Sequence, residues 1–109
     1  MSADHVQCIK FDDGWHRMPH AILELRRLDD RILVIYDYTE FPAWQQAHNL
    51  VAYDRVGNEL WTAQHATAET ADCYVTFLST APLWVWSFAG LRCNLDPMSG
   101  KLIAKVLGK

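Results

Sequence analysis

Apolar and polar positions alternate with a period of two over most of the chain, the pattern of half-buried strands rather than helices. In HAILELRRL, Ala21, Leu23 and Leu25 alternate with Glu24 and Arg26, which sets the apolar members on one face of an extended segment. After Asp29 and Asp30 the alternation resumes in RILVIYDY, whose β-branched and aromatic residues favour a pleated sheet. The two segments predict a hairpin in which Leu25 faces Val34 and Leu23 faces Tyr36. Asp-Asp suits a two-residue primed turn less well than Asn-Gly, so a longer or bulged loop is the alternative.

TEFPAWQQAHN breaks the alternation and carries Pro42 where the first turn of a short helix accepts proline, which predicts a helical turn or an ordered loop. NLVAYDRVGNELWTAQ predicts a second hairpin, with Gly57 and Asn58 taking the positive φ that reverses the chain. ATAETAD reads as a loop. Beyond it CYVTFLS, PLWVWSFAG, LRCNLD and KLIAKVLG predict strands separated by turn signals at Ala81-Pro82, at Gly90 and between Asp96 and Gly100. VQCIKF adds a strand near the start. The fold expected is all-β: an antiparallel meander of about eight strands, a two-sheet sandwich or blade-like array, with at most one short helix. With 109 residues, the chain is read as a single domain over residues 1–109.

Two of these segments are apolar on both faces. In RILVIYDY, Ile32, Val34, Tyr36 and Tyr38 oppose Leu33 and Ile35; in LWVWSF, Trp84, Trp86 and Phe88 oppose Leu83, Val85 and Ser87. Each predicts a strand that has to be covered twice. Either two sheets pack on one another, about 10 Å apart, or another molecule covers one face. This makes Trp44, Trp61, Trp84 and Trp86 candidates for an exposed patch or pocket, as well as for the core.

Charge narrows the partners. A formal net charge of -3, with acids and bases scattered, provides no basic stripe to neutralise phosphates, so nucleic acid is not expected as a partner. No apolar run is long enough to span a bilayer, and MSADHVQCIKFDD is too acidic and interrupted for a signal peptide, so no membrane association and a cytoplasmic location are expected. Cys8, Cys73 and Cys93 lack the close spacing of zinc or redox motifs and are expected to be reduced, buried, small hydrophobes.

Candidate chemistry is sparse. DDGWHRMPH gathers Asp12, Asp13, His16 and His20, residue types that bind metals and move protons, yet Gly14 and Pro19 argue against the helix that would align the two histidines. A turn with solvated charges is the simpler expectation. His48 and His65 each stand next to a predicted loop and could approach one another in space. Cys93 has only Arg92 as a cationic neighbour to activate it. No nucleophile elbow, Walker loop, dinucleotide fingerprint or HExxH pair is present. No catalytic residue, metal or cofactor is therefore assigned, and an enzyme is left without support.

NLVAYDRVGNELW resembles the strand-turn-strand unit of quinoprotein-like propeller repeats, in which an aromatic residue and an Asp precede a Gly-containing turn and a Trp follows it. NLDPMSGKLIAKV is similar, with Asp96 and Gly100 at the matching places and no Trp. The resemblance implies blade-like four-stranded sheets, of which this length supplies about two; the propeller cofactor contacts are absent as a set. The chain is also similar in character to small bacterial β proteins carried on gene cassettes or serving as toxin-neutralising partners.

Three functions follow as expectations. The first is a binding module that recognises a protein partner, or a second copy of itself as a homo-oligomer, through an aromatic, acid-rimmed surface. The second is a small-molecule binder with a Trp-lined apolar cavity between the sheets, closed by the loop around residues 39–48. The third is a small hydrolase-like enzyme using His16 or His20 with a nearby Asp. The candidate binding residues are Trp44, Trp61, Trp84, Trp86, His48 and His65.

Overall fold

A computed structural model describes residues 6–42 and 44–108. Over these residues the fold is all-β, as expected, with nine strands where about eight were expected: β1 (Val6–Phe11), β2 (Gly14–Leu28), β3 (Arg31–Tyr36), β4 (Leu50–Tyr53), β5 (Glu59–Thr62), β6 (Tyr74–Thr80), β7 (Leu83–Ser87), β8 (Leu91–Leu95) and β9 (Leu102–Leu107). They form two antiparallel meanders, a five-stranded sheet ordered β1 to β5 and a four-stranded sheet ordered β6 to β9.

The β2–β3 hairpin turns at Asp29–Asp30, with Asp29 in the left-handed region at φ 54° that Asp tolerates better than most residues. Leu25 faces Val34 as the alternation predicts, but Leu23 does not face Tyr36. A register shift between Ile22 and Glu24 puts Ile22 opposite Tyr36 and turns Leu23 outward. The cause lies in the length of β2, which pairs with β1 through its first half and with β3 through its second. The β1–β2 arm thereby folds across the sheet, and Ile9, Phe11 and Met18 pack on Ile32, Val34, Tyr36, Val51 and Tyr53. Its tip lands on the β4–β5 turn, where Asp12 N–H donates to the Arg55 carbonyl at 2.8 Å and the Arg55 guanidinium pairs with the Asp12 carboxylate at 2.9 Å.

On its other face the first sheet packs against the second. Leu33, Ile35, Leu50, Ala52 and Trp61 meet Tyr74, Phe77, Leu83, Val85, Cys93 and Leu95. Thus β3 is covered twice, once by its own sheet curling over and once by its neighbour. Asn49, fully buried, ties the two sheets: its Nδ2 donates to the carbonyls of Tyr36 (2.9 Å) and Tyr74 (2.8 Å), and its Oδ1 accepts from Tyr74 N–H (3.0 Å). Glu24, beside the register shift, makes a second tie by accepting from Thr76 Oγ1 and Phe77 N–H, both at 2.8 Å.

Other local expectations are revised. Gly57 has the positive φ (90°) its turn requires, but Asn58 does not; it contributes through its side chain, with Nδ2 donating to Asp54 Oδ2. Asp54 accepts from Val56 N–H, and Asp96 accepts likewise from Met98 N–H before Gly100, so the two glycine turns share one Asp-anchored form. β3 stops at Tyr36, and Tyr38 begins a single 3-10 turn, Tyr38–Glu40, capped by Asp37. Pro42 follows this turn instead of opening a helix. Cys73 and Cys93 are buried, whereas Cys8 is exposed on β1, since the open edge strand has cover on one side only.

Candidate functional site

Among the described residues the second doubly apolar strand, β7, is covered by a sheet on one face only; on the other, Gly108 alone packs against the Trp86 ring. Leu83, Val85 and Ser87 point into the shared core, while Trp84 and Trp86 emerge half-exposed on the opposite face of the four-stranded sheet and Phe88 beyond them is 62% exposed. Strand pairing builds a stripe around the two indoles. Trp86 pairs with Arg92 and Arg92 with Val106, while Trp84 pairs with Asn94 and Asn94 with Ala104. Trp84, Arg92 and Val106 join Leu78 and Ser79 around a shallow cavity of about 370 Å³. Leu78 and Val106 are both exposed, and so are Ile103 and Leu107 on the edge strand β9.

The expected acidic rim is not found at this cavity. Among the described residues the charged side chain lining it is Arg92. Its guanidinium makes no ion pair or hydrogen bond with the described residues. Arg92 and Val106, which complete the surface, were not singled out from the sequence as site residues. Their signal was present only in the register, because each stands one strand further from Trp86 at a paired position.

The remaining indoles are placed elsewhere. Trp61 is 7% exposed and belongs to the core, its Nε1–H donating to the Pro97 carbonyl at 3.0 Å. Its ring lies against Gly100, where an added Cβ would come within 2.3 Å of Trp61 Cε3, so the glycine makes room for the indole as well as for the turn. Trp44 is 77% exposed in the loop after the 3-10 turn. The structure therefore brings Trp84 and Trp86 together and separates them from Trp61. A cavity of about 320 Å³ does lie beneath the loop around residues 39–48, but Tyr38, Phe41, Pro42, Ala47 and Asp72 line it and no tryptophan does.

His48 and His65 approach as the sequence allowed, with ring centroids 5.6 Å apart. They share an open pocket of about 570 Å³ with Gln46, Gln64, Thr67 and Lys105. His65 is held at both ring nitrogens, Nδ1 at 2.7 Å from the Thr67 carbonyl and Nε2 at 2.8 Å from the Asp72 carbonyl. His48 has its pKa lowered, first by desolvation and then by the neighbouring His65. Lys105 donates to the Ala66 carbonyl at 2.8 Å from the far side of the pocket.

The Asp12, Asp13, His16 and His20 cluster is split between a turn and β2. His16 Nε2 lies 2.7 Å from Asp13 Oδ1, while His20 turns to Glu40 at 3.5 Å and packs on Phe41. His16 packs edge-on against Phe11 and over Gly57. Among the described residues no group of three or more His, Cys, Asp or Glu side chains is arranged to hold a metal. Burial pushes the thiols of Cys73 and Cys93 up to about 11, which suppresses the thiolate a nucleophile needs. No helix is long and apolar enough to cross a membrane among the described residues.

Neither a curated protein nor a solved structure matches the chain. A family model does, over residues 7–107, from the second residue of β1 to the last residue of β9. The chain belongs to the family described as Domain of unknown function (DUF7957).

Proposed function

We propose that the protein is a binding module that docks a protein partner on the outer face of its four-stranded sheet, with Trp84 and Trp86 as the anchors. One observation carries this reading: β3 and β7 have the same two-sided apolar pattern, yet among the described residues a second apolar layer covers β3 and none covers β7. Exposed apolar patches of this kind mark interaction sites in soluble proteins, and aromatic anchors supply most of the binding energy at such surfaces. Arg92 fixes the chemistry of the occupant. A guanidinium with no partner among the described residues, set beside an indole, is served by a carboxylate, so the segment recognised pairs apolar side chains with an Asp or Glu.

The test is selection of a displayed peptide library on the immobilised protein, with re-testing of the enriched peptides against three variants. The expected peptides carry apolar residues next to an acid, lose binding to Trp84→Ser and to Arg92→Glu, and keep it to Trp15→Ala, which removes an exposed tryptophan on the other sheet. Peptides indifferent to Arg92→Glu would overturn the reading. Light scattering across a range of concentrations decides whether a second copy occupies the face instead, as a dimer abolished by Trp84→Ser would show.

A further inference from the structure

Acids outnumber bases in this chain, 13 to 10, yet no carboxylate lines the pocket that holds His48, His65 and Lys105. The nearest buried acid, Asp72, is turned away, its Oδ1 accepting from the amides of Cys73 and Ala89 and its Oδ2 from the Thr67 hydroxyl. Donors, by contrast, converge there. The ring of His65 is held in place by carbonyl oxygens at both nitrogens, Thr67 at Nδ1 and Asp72 at Nε2. Lys105 spends one N–H on the Ala66 carbonyl and keeps the others. Gln64 Oε1 accepts from Leu102 N–H, which leaves its amide Nε2 as a further donor at the pocket wall.

His48 completes the set. It makes no hydrogen bond with the described residues, although its ring lies beside that of His65. We infer that this pocket is a binding site for a small oxyanion, a carboxylate or a tetrahedral dianion, held by Lys105 and His48 beside the anchored ring of His65. The site is separate from the aromatic face and stands or falls independently of it.

Binding is coupled to a proton. In the free protein, desolvation first and then the neighbouring His65 lower the His48 pKa and so disfavour its charged form. An anion set between His48 and Lys105 reverses that balance, and His48 takes up a proton as the anion enters. The titratable groups facing His48 are His65 and, across the pocket, Lys105. Affinity therefore rises as pH falls, by up to about tenfold per unit over the window between the bound and free His48 values.

The experiment is an NMR titration of the histidine ring resonances with sulfate, which stays a dianion over this pH range, at ionic strength held constant with chloride. The expected result is a saturable shift of the His48 and His65 resonances, tightening on acidification. Lys105→Gln weakens it at least fivefold, Lys105→Arg retains it, and in His48→Gln the His65 resonance still responds but without the tightening that His48 contributes on acidification. Acetate run in parallel distinguishes a planar carboxylate from a tetrahedral ligand. Linear shifts equal to those produced by chloride, or sulfate binding unchanged in a folded Lys105→Gln, would overturn the assignment.

Discussion

Asn49 is the residue on which the presentation of the second sheet depends most directly. Its side chain makes three hydrogen bonds, two donated by Nδ2 and one accepted by Oδ1, and they reach both sheets. In Asn49→Ala all three are lost, and the Tyr74 N–H and two carbonyls they served are left in a region closed to water, at about 1–2 kcal/mol for each group. A net loss of about 3–5 kcal/mol is expected, a large part of the roughly 5–15 kcal/mol that holds a domain of this size together. The melting temperature would fall by about 12 °C or more. Asn49→Asp is the sharper variant. It is nearly isosteric and keeps the acceptor for Tyr74 N–H, but aims a second acceptor at two carbonyl oxygens, so at neutral pH it should cost at least as much as alanine.

Urea denaturation followed by tryptophan fluorescence measures these losses, with Asn58→Ala as control because that amide is exposed and bonded only to Asp54. The control should stay within about 0.5 kcal/mol of the parent. An Asn49→Ala protein within 1 kcal/mol of the parent would refute the argument, since the sheets would then be held by apolar packing alone.

Other expectations follow from burial and charge. Val85→Ala removes a fully buried side chain and should cost about 1–3 kcal/mol. Trp84→Ser on the same strand should cost less in stability despite its far larger volume change; the reverse order in urea midpoints would mean that the outer face is core. With a thiol reagent, the native protein should expose one rapidly reacting cysteine, Cys8, and release Cys73 and Cys93 only on unfolding, because burial raises both of their thiol values to about 11. His48 should make stability depend on pH. Its value is lowered in the folded chain, so below the ordinary histidine value of about 6.5 the unfolded chain binds more protons, and stability rises with pH up to that point and then levels off. Urea midpoints of His48→Gln between pH 5 and 8 should lack that part of the slope.

The strands were legible because alternation is a local property. Leu25 opposite Val34, the reversal at Gly57 and the four-strand meander after residue 73 all follow from neighbours in sequence. What escaped depends on distant parts of the chain. The shift between Ile22 and Glu24 is set by β2 serving two partners, and no feature of HAILELRRL announces it. Trp61 and Trp84 look alike in sequence, each inside an alternating run. Trp61 turns inward because Gly100, from the other hairpin, leaves space for its ring. The pairing of His48 with His65 was permitted by two loops but is brought about by Asn49 and Tyr74, which bond to each other and hold those loops side by side.

The contrast between β3 and β7 also decides how the outer face is to be understood. An apolar face can be hidden by the chain that carries it, and β3 is the proof: the long β2 lets the β1–β2 arm reach back over Ile32, Val34 and Tyr36. The four-stranded sheet has no such arm, since its strands run to seven residues at most and are joined by short turns. The open edge beside it is lightly defended. β9 is an edge strand with Ile103 and Leu107 exposed and no proline, guarded by a register shift in its pairing with β8 and by one charged residue, Lys105, whose ammonium is drawn inward to the Ala66 carbonyl. A face left uncovered beside so lightly guarded an edge exposes the chain to association with anything apolar. Arg92 restricts that choice, because an apolar segment without a carboxylate would bury the guanidinium unpaired. Specificity at this surface therefore rests on the charge, and affinity on the two indoles beside it.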